Sequence, residues 1–454
     1  MKASKLTVFI LLLALLAGCG SNSSGSASNS AAGNDTGGDS ANPAATGKPH
    51  DPVNLKVLIY ADKMDQDEFN KVIAAPVQKK FPYITLTYAL AEKGKGSLPE
   101  AIDKLVAAGD LPDIMLTYDL RIRDFNEKKL STDLTPWIKS QKYDLSKLDP
   151  VDVDTVKAYG EEGQLLALPW SINFSATFYN KDIFDKFGVP YPKDGITWDQ
   201  AIDIAKKVTR TEDGKEFKGL DPGLFKHVMS ERSIQAFNPK TNKANLQTDE
   251  MKVVGDLFSQ ISKIPGNAPS DGPYGVKVAR FFKDQNWAMK PMRSSDVLGS
   301  LAQLAESGQT LNWDMASYPA FKDRPGVGMK SDVTVALIAA TSKHKDEAFD
   351  VISYLTSAEA QTAASENGRI PVLNDKKVQD AYGKSLPFFN GKNLKAAFYN
   401  KQPKMIIPSP YDDIVYDKMG LGVTDAIAAG TDDLNTILRK AEEDANKAIA
   451  EKSN

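Results

Sequence analysis

The sequence predicts an α/β protein built as two domains, and three observations carry that expectation. A chain of 454 residues is too long for one typical core and long enough for two. The segment Val53–Leu116 reads strand–helix–strand–helix–strand, the order of a parallel sheet with helices on both sides. The stretch Leu165–Thr209 reads as a strand that leaves one folding unit, passes a polar and aromatic patch, and starts another. A hinge strand beside a cleft has this pattern, and so does an ordinary strand–helix–helix run inside one domain.

The chain opens with Lys2 and Lys5 followed by an apolar core, Leu6–Ala17. That core is shorter than the ~20 residues of a membrane-spanning helix, so residues 1–18 read as a secretory signal. Leu16-Ala17-Gly18-Cys19 has the small residues that precede an acylated cysteine. Cys19 is the only cysteine, so disulfides and thiolate metal sites within the chain are excluded. Residues 19–52 are the lipidated cysteine and a linker dominated by Ser, Gly, Asn, Ala and Thr, a composition too poor in large apolar groups to fold. The protein is therefore expected at the cell membrane, lipid-anchored and facing outside the cytoplasm.

Val53–Tyr60 alternates as a strand and ends at Asp62 and Lys63. Asp65–Phe81 places Phe69, Val72, Ile73 and Val77 on one helical face, with Pro76 expected to kink or shorten the helix. Ile84–Ala91 is a second strand. Pro99–Ala108 is a helix with proline at its start and Gly109 past its end. Asp113–Leu116 is a third strand, followed by Tyr118 and Asp119. Sites in such sheets lie at the carboxyl ends of the strands, which singles out these four polar residues. Asn180 caps a short helix closed by Gly188, and Thr197 with Gln200 forms a capping box for the next. Later elements are helices at Met251–Ile264, Val297–Glu306 and Asp346–Leu355, a buried-type strand at Val333–Ala340, and a strongly amphipathic helix at Leu434–Ile449.

Several function classes are excluded. A net charge of −3, with no basic run outside the N-terminus, gives no nucleic-acid partner. The three histidines, His50, His227 and His344, are far apart, so no metal site is expected. No nucleophile elbow, Walker loop or H-E-x-x-H motif occurs, and no cofactor is expected.

The ordered set of motifs resembles the family 1 extracellular solute-binding proteins, the maltose-binding-protein family. Leu168-Pro169 stands where the family has an aromatic-Pro pair, with the aromatic displaced to Trp170. Tyr179-Asn180-Lys181-Asp182 and the Thr197-Trp198-Asp199 helix start follow as in the family. Phe282–Met289 is similar to its Phe-x-x-Gly-Lys-x-Ala-Met segment without the glycine. Trp313–Phe321 is similar to a family strand ending in a Pro-aromatic pair, and Arg369-Ile370-Pro371-Val372 to its Gly-x-Ile-Pro element.

What the resemblance implies is a two-lobed periplasmic-binding-protein-like fold (class II), mixed sheets flanked by helices with a ligand cleft between lobes. The N-terminal lobe would be residues 53–172 plus 326–369, and the C-terminal lobe 173–325 plus 370–454. It further implies ligand contacts from Asp62, Lys63, Tyr118, Asp119, Trp170, Asn173, Arg293, Asp296 and Tyr411. Trp170 and Tyr411 would supply stacking faces, and Asn173 replaces a family glutamate. Arg293 and Asp296 replace a stacking aromatic, a change that suits an acidic or shorter sugar. Trp287, Trp313 and Tyr274 read as core. The implied function is a monomeric receptor that hands a sugar or oligosaccharide to the permease of an ABC importer. A surface glycosidase using Asp62, Asp119 or Asp296, and a sensor presenting its ligand to a receptor kinase, are the alternatives.

If Cys19 carries the lipid, Cys19→Ala releases the protein from the membrane fraction. Wild-type protein that is soluble and free of lipid by mass spectrometry would contradict the assignment.

Overall fold

The computed structural model describes residues 50–454 except 61, 63, 92–97, 162, 407, 431 and 454. The signal segment, Cys19 and Lys63 lie outside the described residues.

Two mixed sheets organise Asp51–Asn454. The first runs β1 (Val53–Ile59), β2 (Ile84–Leu90), β3 (Ile114–Tyr118) and β4 (Leu168–Ile172), joined from later in the chain by β12 (Val333–Ile338) and β13 (Ile370–Pro371). Its order is β13-β4-β12-β3-β1-β2. The β1–β2 and β1–β3 pairs are parallel, while β12 runs antiparallel to both β3 and β4. The second sheet contains β5 (Ser175–Asn180), β6 (Arg210–Glu212), β7 (Lys215–Leu220), β10 (Trp287–Arg293) and β11 (Trp313–Ser317), in the order β11-β5-β10-β7-β6. A separate small hairpin pairs β8 (Phe237–Asn238) with β9 (Lys243–Ala244).

Each sheet has its own core. Val57, Ile59, Leu116, Leu337 and Phe349 lie in the first, and Phe178, Trp198, Phe258, Trp287 and Leu438 in the second. The chain passes between sheets at Asn173–Phe174, directly after β4, and again between β11 and β12. β13 pairs with β4 through Ile370 and Pro371, so these two residues belong to the first sheet. The chain then proceeds to Tyr382 and Phe389, which pack in the second core.

Local signals explain the elements. The apolar face Phe69, Val72, Ile73 and Val77 is buried as its spacing requires. Pro76 acts there through its missing N–H: the turn at Asn70–Ala74 widens to π geometry and a fresh helical segment starts at Ala75. The Asn180 side chain accepts from the Asp182 N–H at 3.0 Å, and Gly188 ends that helix at φ +63°. Both bonds of the Thr197–Gln200 box are present, at 2.9 and 3.3 Å. In the last helix, Leu434–Ser453, Ile437, Leu438, Ala441, Ala445 and Ile449 are buried, as the apolar stripe predicts.

Trp170 departs from expectation. Pro169 does disturb the ladder, with a register shift between Thr334 and Val335 opposite it. The irregularity, however, turns the indole into the first sheet's core, where it is 1% exposed. Its carbonyl accepts from Gln361 Nε2 at 2.6 Å, and the Arg369 guanidinium lies 5.6 Å from the ring centroid. Trp170→Ala is therefore expected to destabilise the ligand-free protein by ~3–5 kcal/mol, read by denaturant unfolding. An unchanged unfolding midpoint would return the indole to a solvated wall.

Candidate functional site

The site begins where the chain crosses between sheets. The Asn173 N–H donates to the Asp332 carbonyl at 3.0 Å, tying the first crossing to the second. Ser294 locks onto the same point: its N–H donates to the Phe174 carbonyl at 2.8 Å and its hydroxyl to Asn173 Oδ1 at 3.2 Å. Arg293 Nη1 donates to Asp332 Oδ2 at 2.5 Å. Asp119, at the end of β3, is 1% exposed and accepts from Lys330 Nζ at 2.9 Å and from the Val333 N–H at 3.2 Å. Tyr118 lies beside the Asn173 amide, and burial holds its phenol up at about 12.

A cavity of 430 Å³ opens on these residues, within the range of small-ligand pockets. The first sheet supplies Tyr118, Asp119 and Arg121 and, from the chain before β4, Thr155 and Tyr159. The second supplies Lys226, His227, Ser230, Arg293, Ser295 and Asp296. Lys330 and Asp332 come from the crossing, and Met405, Pro408, Asp412 and Tyr416 form a wall from the C-terminal segment. A second cavity of 410 Å³ shares Lys226, His227, Arg293, Ser295 and Asp296 with the first.

The sequence-predicted residues divide cleanly. Tyr118, Asp119, Arg293 and Asp296 line the cavity, and Asn173 braces it from behind. Asp62 is engaged elsewhere: Arg369 binds both its oxygens at 3.1 Å and also holds Glu68 at 2.6 Å. Tyr411 packs its ring on Phe237 in the second core, centroids 5.0 Å apart, and does not line the cavity. The tyrosines that line the cavity are instead Tyr118, Tyr159 and Tyr416. Sequence reasoning missed Lys226, Lys330, Asp332 and the 405–416 wall. A polar cluster just before the Val333 strand was the one available signal. Trp287, Trp313 and Tyr274 are buried core, as expected.

Electrostatically the wall is mostly self-paired. Arg121 lies 3.5 Å from Asp124 and 3.6 Å from Asp413. Arg123 also reaches Asp413 at 3.6 Å and donates to the Ser409 carbonyl, so the first sheet's helix grips the C-terminal wall. Gln402 Nε2 adds a bond to Asp152 at 2.7 Å. Among the described residues no cluster of His, Cys, Asp and Glu could hold a metal ion. The chemistry on offer is hydrogen bonding, ring stacking and charge recognition.

The sequence profile of the bacterial extracellular solute-binding proteins matches residues 61–362. The chain belongs to that family. This solute-binding protein is 26% identical over 277 residues to a probable ABC transporter-binding protein of Deinococcus radiodurans, covering 56% of this chain and 62% of that relative. It is 23% identical over 354 residues to a putative binding protein of Brucella abortus, covering 72% and 82%. Among solved structures it is similar to an ABC substrate-binding protein from Listeria monocytogenes in complex with cycloalternan (TM-score 0.67, 19% identity, 88% of this chain and 100% of that one). It is likewise similar to the sugar-binding protein MalE of Xanthomonas citri (TM-score 0.68, 16% identity, 88% and 98%). At those identities the likeness is one of fold: two lobes of mixed α/β structure. The family is one of binding proteins and is extracellular, and no described helix is long and apolar enough to cross a membrane.

Burial makes the solute-binding protein's stability pH-dependent. It pushes the carboxyl of Asp152 up to about 7 and that of Glu231 up to about 8. An acid with a raised folded-state pKa binds its proton more tightly in the fold than in the unfolded chain. Its ionised form therefore costs stability above that pKa, and the cost is relieved as pH falls through it. Buried His227 works oppositely, but only below its ordinary value of 6.5. The melting temperature is thus expected to fall as pH rises from 6.5 to about 8, each tenfold difference in proton affinity being worth about 1.4 kcal/mol. Asp152→Asn should flatten the profile, and a wild-type profile rising over that window would refute the assignment.

Proposed function

We propose that this protein is the lipid-anchored receptor of an ABC importer, capturing a sugar or oligosaccharide between its lobes and delivering it to the membrane permease. The observation that carries this reading is the 430 Å³ cavity whose walls come from both lobes, the crossing segments and the C-terminal segment. Three tyrosines offer faces to the flat C–H surfaces of sugar rings, and charged and hydroxyl groups offer partners to sugar hydroxyls. The N-terminal lobe is residues 53–172 plus 326–369 and the C-terminal lobe 173–325 plus 370–454, with β13 carried on the sheet of the first. Asp62, Lys63, Tyr118, Asp119, Trp170, Asn173, Arg293, Asp296 and Tyr411 were the expected contacts. Of these, Tyr118, Asp119, Arg293 and Asp296 are the ones we assign to the ligand.

A ligand that touches both lobes favours the closed arrangement by its differential affinity for it, and the permease reads that arrangement. The relatives solved with cycloalternan or described as sugar-binding support carbohydrate as the cargo class. A glycosidase is disfavoured because two of its proposed carboxylates are already committed, Asp62 to Arg369 and Asp119 to Lys330.

The expected behaviour is reversible binding of unaltered carbohydrate. At a hundredfold its Kd, a ligand should stabilise the protein by about 2.7 kcal/mol and reduce the radius of gyration in small-angle scattering. Recovery of a cleaved saccharide would place the protein among enzymes. An unchanged radius at confirmed saturation would make the site rigid.

A further inference from the structure

Among the described residues, the cavity wall carries one cation without an ion-pair partner. Lys330 is held by Asp119, Arg293 by Asp332, and Arg121 by Asp124 and Asp413. Lys226, on the helix Phe225–Glu231, makes no ion pair within 4.0 Å among the described residues. Partial removal from water lowers the ammonium's proton affinity first, and the neighbouring Arg293 lowers it further, while Asp332 and Asp413 pull the other way and Arg121 adds a smaller lowering. The adjacent His227 is held neutral by burial and then by Arg293, Lys226 and Lys290. Arg293 also keeps a buried Nε–H without an acceptor among the described residues. An anion arriving at this point would meet an unmatched ammonium and an unmatched donor.

The position matters as much as the charge. Lys226 and Arg293 line both the 430 Å³ and the 410 Å³ cavities, so the cation stands at their junction. Beyond it the second cavity has a mixed wall, in which Leu224, Val276, Val278, Pro291 and Met292 offer apolar surface to the C–H face of a sugar ring beside Lys290, itself paired with Asp221. A cationic ligand is a poorer match. Asp119 and Asp332 already hold partners, Asp296 is not free either, and burial pushes the Asp412 carboxyl up to about 6.

We propose that the cleft selects an acidic saccharide: a short chain of sugar units carrying a uronate carboxylate where the two cavities meet, read by Lys226. The inference rests on the carbohydrate reading above and narrows it. Lys226 is a specificity-determining residue in this arrangement, and Arg293 supports it.

The test is calorimetric titration of the purified full chain with partial hydrolysates of polygalacturonate and glucuronoxylan. The same oligosaccharides, with their carboxylates chemically reduced to alcohols, serve as neutral counterparts of equal length. The acidic chains should bind wild type about 10- to 100-fold more tightly than their reduced forms, the range of a hydrogen bond to a charged partner. Lys226→Met should erase most of that preference while leaving the melting temperature of the empty protein unchanged, and Lys226→Arg should restore it. Reduced chains that bind as tightly as acidic ones, or a preference that survives in Lys226→Met, would overturn the proposal and leave the carbohydrate reading standing. Binding of amino acids, peptides or simple dicarboxylates with no saccharide bound would overturn both.

Discussion

The two lobes depend on how the chain's crossings are pinned at Asp332. Its carbonyl takes the Asn173 N–H of one crossing, and its carboxylate takes the Arg293 guanidinium at the end of β10. Ser294 closes the circuit back to Phe174 and Asn173. A few residues away, Asp119 holds Lys330 and the Val333 N–H, so the strand entering β12 is fixed to the strand leaving β3. Buried polar groups in this density are costly to separate, because each loses its partner without gaining water. Motion between lobes is therefore expected to bend the crossing segments around this node, and the node itself keeps its bonds. The cavity opens directly on it, which gives the ligand a fixed floor.

The architecture was largely legible in the sequence because its signals are local. Asn180, Gly188, Thr197 and Gln200 act within a few residues of themselves, and each does in the fold what its spacing predicts. The site was less legible because its contacts are not local. Asp62 and Arg369 are 307 residues apart, and nothing near Asp62 announces that a guanidinium will take both its oxygens. The resemblance placed Trp170 on the cleft, and Pro169 beside it does disturb the ladder. What sequence cannot give is the direction in which the irregular strand turns its side chain, and here it turns inward. Tyr411 and Tyr416 make the same point on a helix. Five residues correspond to a rotation of about 500°, which leaves the two side chains roughly 140° apart. One packs on Phe237 and the other lines the cavity.

Pairing most of the cleft's charges in the empty protein has an energetic consequence. Donors and acceptors already fixed by one another need little reorganisation when a ligand arrives, so less of the binding energy is lost to ordering side chains. It also narrows what can be recognised, since a polar group that is already satisfied contributes little to discrimination. Selectivity then falls to the few groups left over. On the proposed reading, that is why Lys226, which has no ion pair among the described residues, decides more than the four carboxylates on the same wall.

The C-terminal wall shows where such selectivity can vary. The family profile ends at residue 362, yet Met405, Pro408, Asp412 and Tyr416 line the cavity. This segment is held against the rest of the protein by a small number of contacts. Lys401 exchanges backbone bonds with Gly326 and Gly328 at 2.8 and 3.0 Å, Gln402 reaches Asp152, and Arg123 reaches Ser409 and Asp413. Its own helices pack on the second core through Val415 and Met419. The crossing node, from Asp119 and Asn173 to Ser294 and Asp332, is thus built from residues the family profile describes. One full side of the binding cavity is built from residues it does not, and that side is anchored by backbone bonds and by ion pairs at its margin. Of the side chains facing the cavity there, Tyr416 packs on the second core and buried Asp412 accepts from the Ser409 N–H at 2.6 Å, which leaves Met405 and Pro408 as the ones freest to change.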